Sequence, residues 1–382
     1  MQVRLAAAIK ELGYKLILTD MNPNCSAGAY ADAFVERDTF DVSGNLQAAA
    51  ILRQTYDICA CLAIAADCHP TVAYLCQELG LPGISPTIAN SCRQKSLTRK
   101  ILAESGVPQP QSFEVGTLED ARRCLQSLGG RGVIKATDNS ASRGFALLEA
   151  PDALSPEVFE SACASGTTGN VLIEEILIPR KDCVAELSVE TIWHEGKMYW
   201  LNWVDRLFRS DLKFFPAIDV QDYHNINWAV EIGHINPAVH PVSVKQAIRD
   251  MIEHAGRAIG MHEQHGGHVL KADIMLTDAG PVILELTPRL SGGWDSSRTT
   301  PSRGADFQVG VLRLALGESL NIDLWHQYFE FTDPSLYAAI LTDIVPGAQD
   351  CIGRKFAFGS GYDRGEALRN ALLNLKESNY VV

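Results

Sequence analysis

Apolar side chains along this chain of 382 residues follow helical spacing in some segments and form short continuous runs in others. In the first ninety residues, helical spacing covers three segments: 2–12, 46–53 and 71–79. Gly13 and Gly80 follow two of them as helix ends. Apolar runs at 15–19 and 57–65 predict strands, the second of them fully buried. This alternation is typical of a doubly wound α/β domain, and we expect its first strand to be missing, because the chain opens in what should be the first crossover helix.

The pattern changes after residue 90. A helix is predicted over 92–104, and strands at 132–136 and 171–173 flank a polar loop and a further helix. Beyond residue 174 the pattern predicts a larger mixed domain, whose elements are strands near 184–193, 198–205 and 269–286 and an amphipathic helix over 243–258. We therefore expect three parts: a Rossmann-like domain over 1–90, a second part over 91–173 that carries a mobile lid at about 112–173, and a C-terminal domain over 174–382.

Two acids stand inside apolar runs in KADIMLTDAGPVILELTPRLSGG, residues 271–293. Turn residues separate the runs, so the segment predicts a hairpin, and symmetry about Ala279 places Asp273 opposite Glu285. Like charges that face each other destabilise a sheet. Mg²⁺ prefers carboxylate oxygens and keeps part of its shell for substrate phosphates, and Arg289 and the amides of 291–293 follow as anion donors. We therefore expect a metal site that is stable only with its ion.

Other polar segments are candidates for nucleotide binding. Lys135 ends a predicted strand and precedes the small, polar loop 138–144, which matches neither a Walker P-loop nor a G-x-G-x-x-G turn. Lys95 is a second candidate cation, and VLIEEILI at 171–178 offers backbone groups to an adenine ring. A surface connection, a solvated helix face and a plain domain hinge are the alternative interpretations of these three segments.

Composition and charge restrict the partners and the compartment that we expect for this protein. The formal net charge of −13 disfavours nucleic acid and anionic membranes as partners, because both require a basic surface. No apolar run approaches the roughly 18 residues of a transmembrane helix, and the N-terminus has no secretory signal pattern. The ten cysteines form no C-x-x-C pair, so we interpret them as reduced residues of a cytoplasmic protein.

The order of these motifs resembles the ATP-grasp superfamily over nearly the whole chain, most closely its L-amino-acid ligase and carbamoyl-phosphate-synthetase-like branch. The resemblance implies an α/β and α+β fold that binds ATP and Mg²⁺, with Mn²⁺ as a possible substitute. The nucleotide-binding residues that it implies are Lys95, Lys135, Ser142, Arg143, Gly144, Glu174, Glu175, Ile176, Leu177 and Glu186. Glu174 would take the adenine amino group, 175–177 would read the ring, and Glu186 would accept the ribose hydroxyls.

The same resemblance implies metal ligands and a substrate pocket. The metal ligands are Asp273, Glu285 and Thr287, the last where the family usually has asparagine. Arg289 and Lys135 would act in catalysis. The substrate residues are Arg289, Gly292, Gly293, Trp294 and Arg298, with Asp295, Arg303, Arg206 and His224 nearby. The implied activity is a carboxylate-amine ligase that forms an acyl phosphate from a small acid or amino acid and releases ADP and phosphate, and a homodimer is the implied assembly.

Three alternatives remain open at this point. A carboxylase or formyl ligase of purine synthesis shares the fold, and a nucleotide-binding protein without turnover is a second class. A zinc enzyme that uses His262, His265 and His268 of HEQHGGH is a third, although the spacing is not H-E-x-x-H.

Overall fold

The N-terminal region folds around a two-stranded parallel sheet. The structure is a computed structural model and describes residues 2–139, 143–216, 231–292, 294–319, 336–344 and 354–377. The first elements are α1 (Gln2–Glu11), β1 (Ile17–Asp20), β2 (Ala33–Glu36), α2 (Val42–Leu52) and α3 (His69–Leu79). Gly80 ends α3 at a φ of 68°, as the sequence predicts. The strand predicted at 57–65 is wrong: this segment pairs with no described strand and is only partly buried.

A helix pair leads into the second sheet. The single helix predicted over 92–104 is instead α4 (Pro86–Arg93) and α5 (Lys95–Glu104), because Gln94 between them has extended backbone angles. The predicted strands at 132–136 and 171–173 are confirmed. They belong to a four-stranded antiparallel sheet of order β3-β6-β4-β5. Its elements are β3 (Ser112–Val115), α6 (Leu118–Ser127), β4 (Gly132–Ala136), β5 (Ala146–Leu148), α7 (Pro156–Ala164) and β6 (Val171–Glu174).

The largest sheet has seven antiparallel strands in the order β11-β10-β7-β8-β9-β12-β13. Its strands are β7 (Glu186–His194), β8 (Lys197–Leu207), β9 (Gly233–Asn236), β10 (Gly267–Thr277), β11 (Gly280–Thr287), β12 (Tyr337–Ile344) and β13 (Arg354–Gly361). The helices that accompany it are α8 (Val242–Ala258), α9 (Thr300–Ser302), α10 (Phe307–Ala315) and α11 (Arg364–Glu377).

The main hydrophobic core lies where α8 packs on this sheet. The predicted apolar face of α8 places Ile248, Ile252 and Ala255 in the same buried cluster as Trp193 and Leu270. Because α5 contributes to this cluster as well, the core fixes α5 against the hairpin of β10 and β11. Within the described residues, no helix has the length and apolar character that crossing a bilayer requires.

Candidate active site

The hairpin of β10 and β11 places two acids side by side. The prediction that Asp273 faces Glu285 is confirmed by the strand register. The turn is not centred on Ala279, as the symmetric hairpin predicts, but covers the two residues 278–279. Leu284 is an extra, bulged residue in β11, and this bulge brings Glu285 opposite Asp273. Arg99 of α5 donates to the Leu284 carbonyl at 2.6 Å. A helix outside the sheet therefore helps to fix the register of the acid pair.

Three cations surround these acids. Lys271 lies 2.8 Å from Asp273, Arg206 lies 3.4 Å from it, and Lys95 lies 2.8 Å from Glu285. Burial acts to raise the pKa of Glu285, but the charges of Lys95 and Lys271 outweigh it and hold that pKa well below its usual range. Burial likewise opposes the charges of Lys271 and Arg206 on Asp273, whose pKa is lowered. The expectation that the pair is stable only with a metal ion is therefore wrong, because the protein supplies its own counter-charges.

The donor set nevertheless fits a hard cation. Asp273 is 6% exposed, and its Oδ1 has no hydrogen-bond partner among the described residues. The hydroxyl-bearing Thr287 lies two residues beyond Glu285 and so shares its face of the strand. Within the described residues no group of three or more His, Cys, Asp or Glu is arranged to hold a metal. Two carboxylates and a hydroxyl leave part of the shell to other ligands, which suits Mg²⁺ with phosphates.

Lys95 connects α5 to the polar loop after β4. Its ammonium donates to the Asn139 carbonyl at 2.5 Å, and its backbone N–H donates at 2.7 Å to the carbonyl of the residue that follows β4. Gly144, farther along the loop, has a φ of 71°. Arg143 is also described, whereas Ser142 lies outside the described residues. Two hydrogen bonds thus hold Lys95 against the start of the predicted phosphate loop.

Glu174 holds two cations at the end of β6. Its carboxylate lies 2.5 Å from the Lys135 ammonium and 2.7 Å from Nε of Arg99, and Glu174 is only 3% exposed. Burial raises its pKa, but Lys135 and Arg99 outweigh this and lower the pKa to about 2. Burial lowers the pKa of Lys135 to about 8, although Glu174 opposes the shift. The implied contact of Glu174 with an adenine amino group is not favoured here, because both carboxylate oxygens are already paired.

The main-chain groups of the segment after β6 are only partly available for hydrogen bonds with an adenine ring. Glu175 donates its N–H to the Gln111 carbonyl at 3.0 Å and accepts the Gln111 N–H on its carboxylate at 2.8 Å. Its N–H is therefore taken, contrary to the implied role. Among the described residues, no hydrogen bond occupies the main chain of Ile176 or Leu177. These two residues keep the adenine-reading role as a prediction.

Arg206 of β8 forms ion pairs with three acidic side chains. It lies 2.5 Å from Glu186, 2.6 Å from Glu231 and 3.4 Å from Asp273. Burial raises the pKa of Glu186 to about 7, against the charge of Arg206. Glu186 therefore stands in the acid group beside Asp273, paired with an arginine, rather than presenting an unpaired carboxylate to a ribose.

His234 links this group to the predicted substrate pocket. It contacts Glu231 and lies 2.7 Å from Asp295, which is fully buried. Burial lowers the pKa of His234, but Asp295 and Glu231 outweigh it and raise the pKa to about 9. Arg303 donates to the Asn236 side chain at 2.6 Å. His224 lies outside the described residues.

The segment after β11 differs from the predicted anion-binding loop. Arg289 donates to Asp67 at 2.8 Å, so this arginine already has a counter-ion from the N-terminal region. The Ser291 N–H donates to the buried Glu190 carboxylate at 2.6 Å and is not available to a ligand. Of the next two glycines, Gly292 is described and Gly293 is not.

Trp294 and Arg298 lie together beyond this segment. The Arg298 guanidinium lies 5.3 Å from the centre of the Trp294 ring, and Trp294 stacks on Phe356 at 5.8 Å. Trp294 has a φ of 75°, which a side chain of this size rarely adopts. The structure thus brings these two predicted substrate residues into direct contact.

The sequence analysis did not identify several site residues: Arg99, Asp67, Glu231 and His234. Arg99 had a signal, because it lies one helical turn after Lys95 and so shares its face. Glu231 and His234 had the same signal as the acid pair, namely polar residues beside an apolar run. The zinc hypothesis is wrong for the described residues: no metal-holding group of three forms, and His268 hydrogen-bonds the His265 carbonyl at 2.7 Å.

Comparisons with known proteins agree with this architecture. No protein-family model matches the chain. A curated relative, the alanine–anticapsin ligase of Bacillus amyloliquefaciens, is 25% identical over 64% of this chain and 50% of its own length. The chain spans about half the length of the first curated relatives that it matches.

Solved structures match over much more of the chain. The L-amino acid ligase of Bacillus licheniformis has a TM-score of 0.73 at 17% identity, over 99% of this chain and 95% of that one. The biotin carboxylase domain dimer of the Hydrogenobacter thermophilus 2-oxoglutarate carboxylase, in complex with MgADP, ADP and bicarbonate, has a TM-score of 0.63 at 16% identity, over 89% and 71%. Both have the ATP-grasp architecture. The protein therefore has the ATP-grasp fold, with a mixed α/β and α+β arrangement.

Proposed function

We propose that this protein is an ATP-dependent carboxylate-amine ligase, which activates a small carboxylic acid or amino acid as an acyl phosphate for attack by an amine. The observation that carries the proposal is the meeting of three elements around the acid pair of the hairpin. Lys95 of α5 forms an ion pair with Glu285, and Lys135 of β4, which is paired with Glu174, lies close enough for its charge to lower the pKa of Glu285. Lysines beside paired acids are the groups that phosphoryl transfer requires.

Each residue has a proposed task. Lys95 and Lys135 would bind the phosphates of ATP, and the loop that carries Arg143 and Gly144 would close over them. Asp273 and Glu285 would hold Mg²⁺, with Thr287 beside them, and the bound ion would offset the negative charge of the phosphates. Since Lys95 and Lys271 neutralise these acids in the structure, we expect both lysines to turn toward phosphate when the cation binds.

The reaction then follows from the charges. The acid carboxylate attacks the γ-phosphate, ADP leaves, and the amine displaces phosphate from the acyl group. Arg289 would orient the acid or the acyl phosphate, and its pairing with Asp67 fixes the position of its guanidinium. Trp294 and Arg298 would border the substrates.

The comparisons support this reaction class over the purine-type alternative. The greatest similarity among the solved structures named above is to an L-amino acid ligase, and a curated relative is an alanine–anticapsin ligase. The dimeric biotin carboxylase neighbour supports a homodimer for this chain. We propose small-molecule acids and amines as its substrates.

A matrix of acids and amines tests the function. ADP and phosphate release should appear only when ATP, Mg²⁺, one acid and one amine are all present. Lys95→Met and Glu285→Gln should abolish release, whereas Lys100→Met, at an exposed position on the same helix as Lys95, should not change it. ADP release that never depends on an added acid would overturn the ligase assignment.

A further inference from the structure

A cavity of about 90 Å³ lies between the N-terminal region and the large sheet. Its walls come from 61–64, the start of α3, the first residues of β10, the turn after β11, and α10. Most wall residues are apolar, including Leu62, Ile64, Val72, Val269, Leu290 and Leu314. An apolar space of this kind takes a small group and disfavours a charge.

One polar side chain in the wall has no partner within the protein as described. His69 is 6% exposed, and neither of its ring nitrogens makes a hydrogen bond among the described residues. Burial lowers the pKa of His69 to about 4, so the imidazole is neutral at neutral pH. A neutral imidazole offers one donor and one acceptor, and buried polar groups are normally paired. The partner of His69 is therefore expected in the cavity.

The cavity adjoins the candidate active site. Arg289 forms part of its wall, and the charges of Asp67, Arg289 and Glu285 all act on the pKa of His69. His69 thus lies within electrostatic reach of the residues to which we assign the acid substrate and the metal ion.

Size and chemistry together define the occupant. A space of about 90 Å³ admits a side chain of a few non-hydrogen atoms, such as the side chains of serine and asparagine. We propose that this cavity receives the side chain of the carboxylic acid substrate, and that His69 selects a small uncharged side chain that carries both a hydrogen-bond donor and an acceptor, a hydroxyl or a carboxamide. An alkyl side chain would leave His69 unpaired, and a charged one would lose its hydration, because the walls are mostly apolar and the guanidinium of Arg289 in the wall is already paired with Asp67. This inference rests on the proposed ligase function.

A substrate series with two variants tests the selection. In the wild-type protein, kcat/KM for ADP release should be at least about tenfold higher with L-serine or L-asparagine as the acid than with L-alanine or L-aspartate. His69→Phe keeps the ring and removes both nitrogens, so the preference over alanine should fall to about twofold or less while turnover of alanine persists. His69→Gln keeps a donor and an acceptor and should retain part of the preference. His254→Ala, at an exposed position on α8, is the control and should change nothing.

The selection and the ligase function fail in different ways. Equal rates for serine, asparagine and alanine in the wild-type protein, or an unchanged preference in His69→Phe, would overturn the subsite and leave the ligase intact. If no pair of acid and amine leads to ADP release, the proposed ligase function is refuted. The subsite is then tested by calorimetric measurement of amino acid binding to the wild-type protein and to His69→Phe. Binding of L-serine or L-asparagine that His69→Phe abolishes would support it, and equal or absent binding to both proteins would refute it.

Discussion

Replacing Glu174 with glutamine should destabilise the protein strongly, because this carboxylate is the shared counter-charge of two buried cations. Arg99 is 4% exposed and lies 2.7 Å from Glu174, and Lys135 lies 2.5 Å from it. Breaking a buried pair by removing one partner costs about 3 to 5 kcal/mol. The charge of Glu174 also supports the protonated form of Lys135, whose pKa is already lowered to about 8. Without that support Lys135 loses its proton more readily, which relieves part of the cost, so we expect about 3 kcal/mol.

Arg99 is the reason that the loss of stability in Glu174→Gln does not vanish. A guanidinium does not deprotonate at neutral pH, so Arg99 stays charged in Glu174→Gln, and its partners are then only neutral oxygens, namely the carbonyls of Ile283 and Leu284 and the introduced amide. The double variant Glu174→Gln/Arg99→Gln should therefore lose less stability than the sum of the two single variants, with a coupling of at least about 1 kcal/mol.

Urea unfolding followed by tryptophan fluorescence provides the assay. Glu175→Gln is the matched control, because this neighbouring carboxylate accepts only the Gln111 N–H, and its loss should cost under about 1 kcal/mol. If Glu174→Gln and Glu175→Gln unfold at the same urea concentration, Glu174 is not the counter-charge that the structure indicates.

Three further results are expected. ATP should raise the melting temperature only when Mg²⁺ is present, and Asp273→Asn should remove that rise; an equal rise in excess EDTA would contradict the metal site. Lowering the pH should destabilise the protein through His69, because its folded pKa of about 4 lies below the ordinary 6.5: the contribution is complete above about pH 6.5 and is lost as the pH falls toward 4. Between about pH 7 and pH 5 the wild-type protein should lose about 2 kcal/mol more in urea unfolding than His69→Phe, and parallel losses would show that His69 is not buried in its neutral form. Lys135→Met should abolish ADP release without loss of the folded state, since it removes a cation from Glu174 and leaves Arg99 paired there; unfolding at ordinary temperature would indicate a purely structural lysine.

Local features of the sequence predicted the central hairpin. The alternation of apolar residues and the turn chemistry between them predicted the hairpin, whereas the pairing of Asp273 with Glu285 depends on a turn over 278–279 and on the bulge at Leu284 rather than on symmetry about Ala279. The bulge at Leu284 was not predictable in the same way, because the arginine that binds its carbonyl lies 185 residues away in the chain. The ion pairs of the two acids with Lys95 and Arg206 were not predictable for the same reason, because these cations come from distant elements of the chain.

Two errors in the predicted elements have physical causes of the same kind. The apolar run at 57–65 has the composition of a buried strand, but it has no paired neighbour among the described strands, and a strand requires one. The helix predicted over 92–104 breaks at Gln94, where the next residue donates its N–H to the loop after β4 instead of continuing the helix. Helical spacing continues across this break, so the sequence pattern alone did not reveal it.

Transfer of an isotope label tests the central claim most directly. If the acid substrate attacks the γ-phosphate beside Asp273 and Glu285, one oxygen of the released phosphate must come from its carboxylate. With an acid labelled with ¹⁸O in the carboxylate, we expect the label in phosphate when ATP, Mg²⁺ and the amine are present, together with ADP. Release of AMP, or unlabelled phosphate during verified product formation, would contradict activation as an acyl phosphate.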